Sequence, residues 1–218
     1  GTSDTGQYLM FADGASGAAR YQGYIQYAHS DNQMHLATGA SERMTIDATG
    51  VGIGTTDPGD ALHIVSASDG GATEVIIDNS AAGDSTDELV GLRFRHNGGT
   101  ASRILVGREE NFSGSSTRSA FISFRTSKDD TEAEQMRITA DGNVGIGVTP
   151  EETNSSHDAL QLGGNAYWNS YSAQGASGET DFGHNFYFSA AGSDKYISTD
   201  EATQLRQGGG AFVFKSAA

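Results

Sequence analysis

Six histidines, at positions 29, 35, 63, 96, 157 and 184, are the side chains of this 218-residue sequence best suited to hold a metal ion. Paired ligands on one face of an element need His-x-His or His-x-x-x-His spacing, and neither occurs. His63 lies between Leu62 and Ile64 in a short alternating run, so its ring is expected on the face opposite those two side chains. Neighbouring carboxylates occur at Glu109-Glu110, Asp129-Asp130 and Glu151-Glu152. In extended chain adjacent residues project to opposite faces, a poor geometry for sharing a proton or flanking a glycosidic bond, and solvated loops account for them. Asp78-Asn79, Asp84 and Asp87-Glu88 offer calcium-type oxygens, yet no twelve-residue ligand loop can be written through them. No cofactor and no metal are expected.

Gly50-Val51-Gly52-Ile53-Gly54-Thr55-Thr56 has the glycine density of a phosphate-cradling loop, but no lysine follows it and no helical pattern opens behind it. Close packing of strands is the expectation instead. Aromatic side chains concentrate in the last third, at Tyr167, Trp168, Tyr171, Phe182, Phe186, Tyr187 and Phe188. Such rings either fill a core or stack on sugars. Tyr167, Trp168 and Tyr171 are the candidate glycan contacts, while the alternation at 186–188 suits a strand buried on at least one face. The absence of cysteine excludes disulfides, thiol nucleophiles and Cys-ligated zinc. With no catalytic constellation located, the chain is expected to be non-enzymatic.

Composition narrows the partners. Thirteen Lys+Arg against 28 Asp+Glu give a formal net charge of -15, and the basic residues are dispersed, so nucleic acid is not an expected partner. No stretch approaches the roughly 20 apolar residues that span a bilayer, so membrane insertion is not expected. The 30 glycines leave few large side chains to bury, which makes the stability of a single chain doubtful.

The elements that position these residues are repeated. Met44-Thr45-Ile46-Asp47-Ala48-Thr49-Gly50-Val51-Gly52-Ile53-Gly54-Thr55-Thr56-Asp57-Pro58 recurs as Met136-Arg137-Ile138-Thr139-Ala140-Asp141-Gly142-Asn143-Val144-Gly145-Ile146-Gly147-Val148-Thr149-Pro150. Asp60-Ala61-Leu62-His63-Ile64 then matches Asp158-Ala159-Leu160-Gln161-Leu162. This divides the chain into a leading β-repeat at 1–58, a full one at 59–150, and a third at 151–218 that stops before its own motif. Each motif reads as a hairpin, with period-2 alternation on both arms and positive φ angles expected at Asp141-Gly142-Asn143 and Thr49-Gly50. Gly145 and Gly147 leave one side of the second arm bare for close approach of another backbone.

Alternating runs at Tyr24–Tyr27, Leu92–Arg95, Ile104–Val106, Ala120–Phe124, Phe186–Phe188 and Phe212–Phe214 continue the pattern. Asp200–Gln207 is the best helical candidate, and it is short and mostly polar. The fold class expected is all-β, with short strands and hairpins in a fibrous, intertwined homotrimer. Three chains wound together would cover strand edges and let apolar faces meet on an axis. Met44, Ile46, Val51, Ile53 and their counterparts Met136, Ile138, Val144 and Ile146 are the residues expected to pack that axis.

The pattern Met-x-Ile-x-x-x-Gly-(Asn)-Val-Gly-Ile-Gly-x-Thr-x-Pro, followed by x-Ala-Leu-x-Ile, resembles the shaft repeat of tail fibres of tailed bacteriophages, as in phages of marine or cyanobacterial hosts. Phe11-Ala12-Asp13-Gly14 through Arg20-Tyr21-Gln22-Gly23-Tyr24-Ile25-Gln26-Tyr27-Ala28-His29 is similar to a segment that precedes such repeats, as is Lys195-Tyr196-Ile197-Ser198 through Phe212-Val213-Phe214. Together these cover more than half the chain. The resemblance implies a homotrimeric structural segment, a shaft or connector, in an extracellular fibre of the virion. Its implied partners are its own copies, other tail or fibre proteins, and a host surface glycan at the tip. Two other readings stand beside it: a glycan-binding module in the aromatic last third, and a cell-surface filament or adhesin with no virus involved.

Overall fold

Period-2 alternation with glycine, asparagine and aspartate between the runs yields strands almost throughout the computed structural model, which describes residues 6–67, 70–81, 86–114, 118–171 and 178–217. The fold is all-β. Among the described residues the single helical element is the 3-10 turn Gly17–Tyr21. Most of the helical candidate 200–207 forms a strand instead, Ala202–Gly208, whose alternating residues share one face: Ala202 packs with Tyr167 and Phe186, and Gln204 and Arg206 bond Asp181. Contacts divide the chain into two units, residues 1–76 and 77–218.

The first unit is a six-stranded sheet in sequence order: β1 (Gln7–Phe11), β2 (Gly23–Ala28), β3 (Gln33–Thr38), β4 (Ser41–Ile46), β5 (Val51–Ile53) and β6 (Leu62–Ile64). Neighbours are antiparallel except β5 and β6, which run parallel. Since β6 pairs with β5, the strand after the first motif belongs to the sheet that contains the motif. The contact boundary at 76/77 therefore lies beyond the repeat boundary at 58/59.

The second unit contains a ten-stranded sheet ordered β18-β17-β14-β13-β12-β11-β10-β9-β8-β7. Its strands are β7 (Leu89–His96), β8 (Gly99–Arg108), β9 (Ala120–Lys128), β10 (Thr131–Ile138), β11 (Val144–Ile146), β12 (His157–Leu162), β13 (Ala166–Tyr171), β14 (Thr180–His184), β17 (Ala202–Gly208) and β18 (Ala211–Ala217). A separate hairpin of β15 (Phe186–Phe188) and β16 (Asp194–Tyr196) packs over it. As in the first unit, the one parallel step is β11 to β12. The second and third sequence repeats thus share one sheet.

Two-residue left-handed turns close four hairpins: Gly39-Ala40, Asn97-Gly98, Asp129-Asp130 and Gly209-Gly210. Both central φ angles are positive in each, the geometry that matches strand twist. The motif hairpins turn differently from the sequence expectation. Within the turn of the second copy only Gly142 has positive φ, at 87°; within the turn of the first, at 47–50, no residue does. There the Asp47 carboxylate accepts from the amides of Thr49 (2.7 Å) and Gly50 (3.0 Å), so a side-chain hydrogen bond replaces the left-handed residue.

After each motif the chain must step to a parallel neighbour through a short loop, 54–61 or 147–156, which crosses the sheet face closely. A Cβ on Gly52 would lie 2.5 Å from the Thr55 carbonyl oxygen, and one on Gly145 would collide with the Val148 carbonyl oxygen and the Pro150 ring. The bare side of these strands is therefore filled by the loop's own backbone, and Pro58 and Pro150 are buried against it.

Candidate functional site

In the motif hairpins the register pairs Met44 with Ile53 and Ile46 with Val51, and likewise Met136 with Ile146 and Ile138 with Val144. Each set of four therefore stands on one face of its sheet. Met44, Val51, Met136, Ile138 and Val144 are half-buried, whereas Ile46, Ile53 and Ile146 are exposed.

The rows extend well beyond these eight residues. In the first unit the pairings align Leu9, Ile25, Leu36, Met44, Ile53 and Ile64 across all six strands, with Tyr27, Met34, Ile46, Val51 and Leu62 beside them. In the second unit an unbroken apolar row crosses ten strands: Val90, Val106, Ile122, Ile138, Val144, Leu160, Trp168, Phe182, Leu205 and Phe214. A second row, from Leu92 through Ile104, Phe124, Met136 and Ile146 to Leu162, accompanies it over six strands. None of these side chains is fully buried, and Phe214 at the far edge is 82% exposed.

The most buried side chains are mostly polar and lie away from these rows. The largest side chains with under 2% exposure are Gln161, Asn143, Asn169, Asn185, Thr45, Asp181 and Ser123. Loops of the same unit cover Gln161 and Asn143, and neighbouring strand residues hold Asp181. Gln161 Oε1 accepts from the Glu151 amide (3.0 Å), and Asn143 Oδ1 accepts from Thr153 Oγ1 and the Ala159 amide, both at 3.0 Å. Asp181 accepts from Gln204 Nε2 (2.9 Å) and from Arg206 Nε (2.7 Å) and Nη2 (3.2 Å). This arrangement inverts that of an isolated sheet, whose apolar face would be the covered one. An exposed apolar face of this breadth exceeds what a soluble monomer ordinarily shows.

The aromatic candidates separate. Trp168 lies in the ten-strand row, 47% exposed and stacked on Phe182 at 4.8 Å. Tyr167 points the other way and is 3% exposed, packed on Phe186 and Tyr187 in the small core formed with Ala159 and Ala202. Burial pushes its hydroxyl up to about 12. Tyr171 shares the side of Tyr167 and sits edge-on to His157 at 5.3 Å. The three thus form no common platform, and Tyr167 offers no surface to a glycan. Phe186 fills the core, where it rests over Gly183.

The histidines scatter as well. His35 is buried beside Thr45 Oγ1 (3.2 Å), and His63 Nδ1 accepts from the Gly59 amide (3.2 Å). His157 packs between Tyr171 and Phe188, where burial lowers its pKa. Among the described residues no group of three or more His, Asp or Glu is placed to hold a metal ion, and Asp84 lies outside those residues. Of the carboxylate pairs, Asp129-Asp130 forms a hairpin turn, while Glu109 accepts from the Ala140 amide and Glu110 from the Ser119 amide. The chain matches no protein-family model and no curated protein sequence.

Sequence reasoning found the eight motif residues through repetition and alternation. It missed the continuation through Leu9, Ile25, Leu36, Phe182 and Leu205, because a row across strands depends on register. The signal present in the sequence was alternation within each run.

Proposed function

We propose that this chain is a shaft or connector segment of a homotrimeric fibre, of the kind borne by tailed bacteriophages, and that it holds a host-binding tip away from the particle. The observation that carries this reading is the half-exposed apolar row running uninterrupted through ten strands, while the most buried side chains of the unit are polar and lie away from it. A lone chain leaves that row in water; three chains arranged about an axis bury it. Taking a half-exposed Ile, Leu or Phe to full burial contributes about 1 kcal/mol. Repeated along two sheets, this supplies what the glycine-rich chain lacks. The repeated Val-Gly-Ile-Gly hairpins support the phage assignment through their resemblance to fibre shafts. The role is mechanical, with stiffness arising from stacked β-repeats, and the partners are other copies and adjoining tail proteins.

The test is the mass and shape of the 218-residue chain in solution, by multi-angle light scattering joined to small-angle X-ray scattering. A threefold mass with a rod-like profile is expected. A folded monomer at micromolar concentration would overturn the reading.

A further inference from the structure

Between β6 and β7 the chain passes through Thr73-Glu74-Val75-Ile76-Ile77-Asp78-Asn79. Three consecutive β-branched residues favour an extended backbone and a place in a sheet. Yet Val75, Ile76 and Ile77 are 66%, 85% and 48% exposed. No backbone hydrogen bond joins residues 70–80 to any described residue, and the bond nearest by is from the Ala81 amide to Asn79 Oδ1. The segment has the composition of a strand and no sheet.

The ten-stranded sheet has an edge that fits it. β7 is the outermost strand, with one side of its backbone unpaired among the described residues and with Leu89, Leu92 and Phe94 exposed along it. Short length or a proline usually blunts an edge, whereas β7 spans eight residues and contains none. On its polar face Arg93 makes no hydrogen bond or ion pair within the described residues. Each apolar row ends here, one at Val90 and the other at Leu92.

We propose that residues 74–78 are a strand donated to the β7 edge of a second copy of this chain, antiparallel, with Val75 opposite Leu92, Ile76 opposite Gly91 and Ile77 opposite Val90. This rests on the fibre reading. The register extends both apolar rows by one residue, Val75 on the Leu92 row and Ile77 on the Val90 row. It also sets Glu74 opposite Arg93 on the polar face, where an opposite-charge pair is favourable. The occupant is another copy because a multi-chain fibre brings further copies alongside, and the charges of Glu74 and Arg93 are complementary at this register.

The chain contains no cysteine, which allows a direct test. Val75→Cys chains and Leu92→Cys chains, distinguished by a tag, are co-expressed and oxidised. A disulfide joining the two kinds of chain is expected on a denaturing, non-reducing gel. A Val75→Cys/Leu92→Cys double variant that links only within one chain would overturn the proposal, as would no link in either arrangement. Ile76→Pro provides a second measurement, since the side chain is exposed. The variant oligomer is expected to fall apart at lower temperature than the parent, and equal heat resistance would overturn the donation. If the unsubstituted chain is itself a monomer, both readings fail together; if it is a trimer without the cross-link, only strand donation fails.

Discussion

His63 and Gln161 occupy the same place in the two repeats, and each accepts a hydrogen bond from the amide of the residue that follows the motif proline, Gly59 or Glu151. Two chemically different side chains thus pin the same crossing loop to the same strand. His63→Gln should therefore change stability by less than about 0.5 kcal/mol, while His63→Leu, which strands the Gly59 amide, should cost about 1 kcal/mol. Urea denaturation of both variants checks this, and equal losses would remove the loop-pinning role. The equivalence of positions 63 and 161 was legible in the sequence, and so was the orientation of His63 away from Leu62 and Ile64. The bond itself was not, because it depends on where an irregular eight-residue loop comes to lie. Glycine shows the same limit: alternation marked Gly145 as a close-approach site, but only the coordinates identify Val148 and Pro150 as what approaches.

At the scale of elements, β8, β9 and β10 are joined across their polar face by a charge network in which every carboxylate meets an arginine. Glu132 receives Arg103 Nε at 2.6 Å and Arg125 Nε at 2.8 Å, and Glu134 receives Arg137 Nε at 2.7 Å and Nη2 at 2.9 Å. Arg137 also lies over the Phe121 ring at 3.6 Å. The hydrogen bond from Arg103 holds the Glu132 carboxyl below its ordinary value of 4.5, and the bond from Arg137 does the same for Glu134. A carboxyl that ionises more readily when folded adds stability above its unfolded pKa, and that stability is lost as the pH falls through the depressed folded value. Glu132→Gln/Glu134→Gln should therefore be less stable than the parent at pH 7, by roughly 1–3 kcal/mol, with the gap closing below about pH 4.5. Denaturation midpoints at pH 7 and pH 3 measure both arms, and a gap of the same size at both would show that the network contributes nothing through charge. In the sequence Arg137 alternates with Met136 and Ile138, but Arg103 and Arg125 lie just outside the runs Ile104–Val106 and Ala120–Phe124 and the arginines look dispersed, since neighbours on adjacent strands are set by a register shift between Glu134 and Met136 that no local pattern announces.

For the whole molecule, the decisive contrast is between two ways of adding one negative charge. Ile146 stands in the second apolar row, 44% exposed on its own chain, and in the proposed fibre three copies of it converge towards the axis. Ile146→Asp would bring three carboxylates into that shared interior, where desolvation and mutual repulsion cost several kcal/mol in all. Within a single chain the same change is mild, because the position already meets water. Ser155→Asp adds an equal charge to the exposed part of the loop that covers the opposite face, and the -15 per chain already tolerates such additions. Light scattering should therefore find Ile146→Asp reduced to monomer with its β-type circular dichroism retained, and Ser155→Asp still threefold. If Ile146→Asp still assembles into heat-resistant trimers, the apolar face is not the assembly surface, and the ten-strand row must be covered by some other molecule.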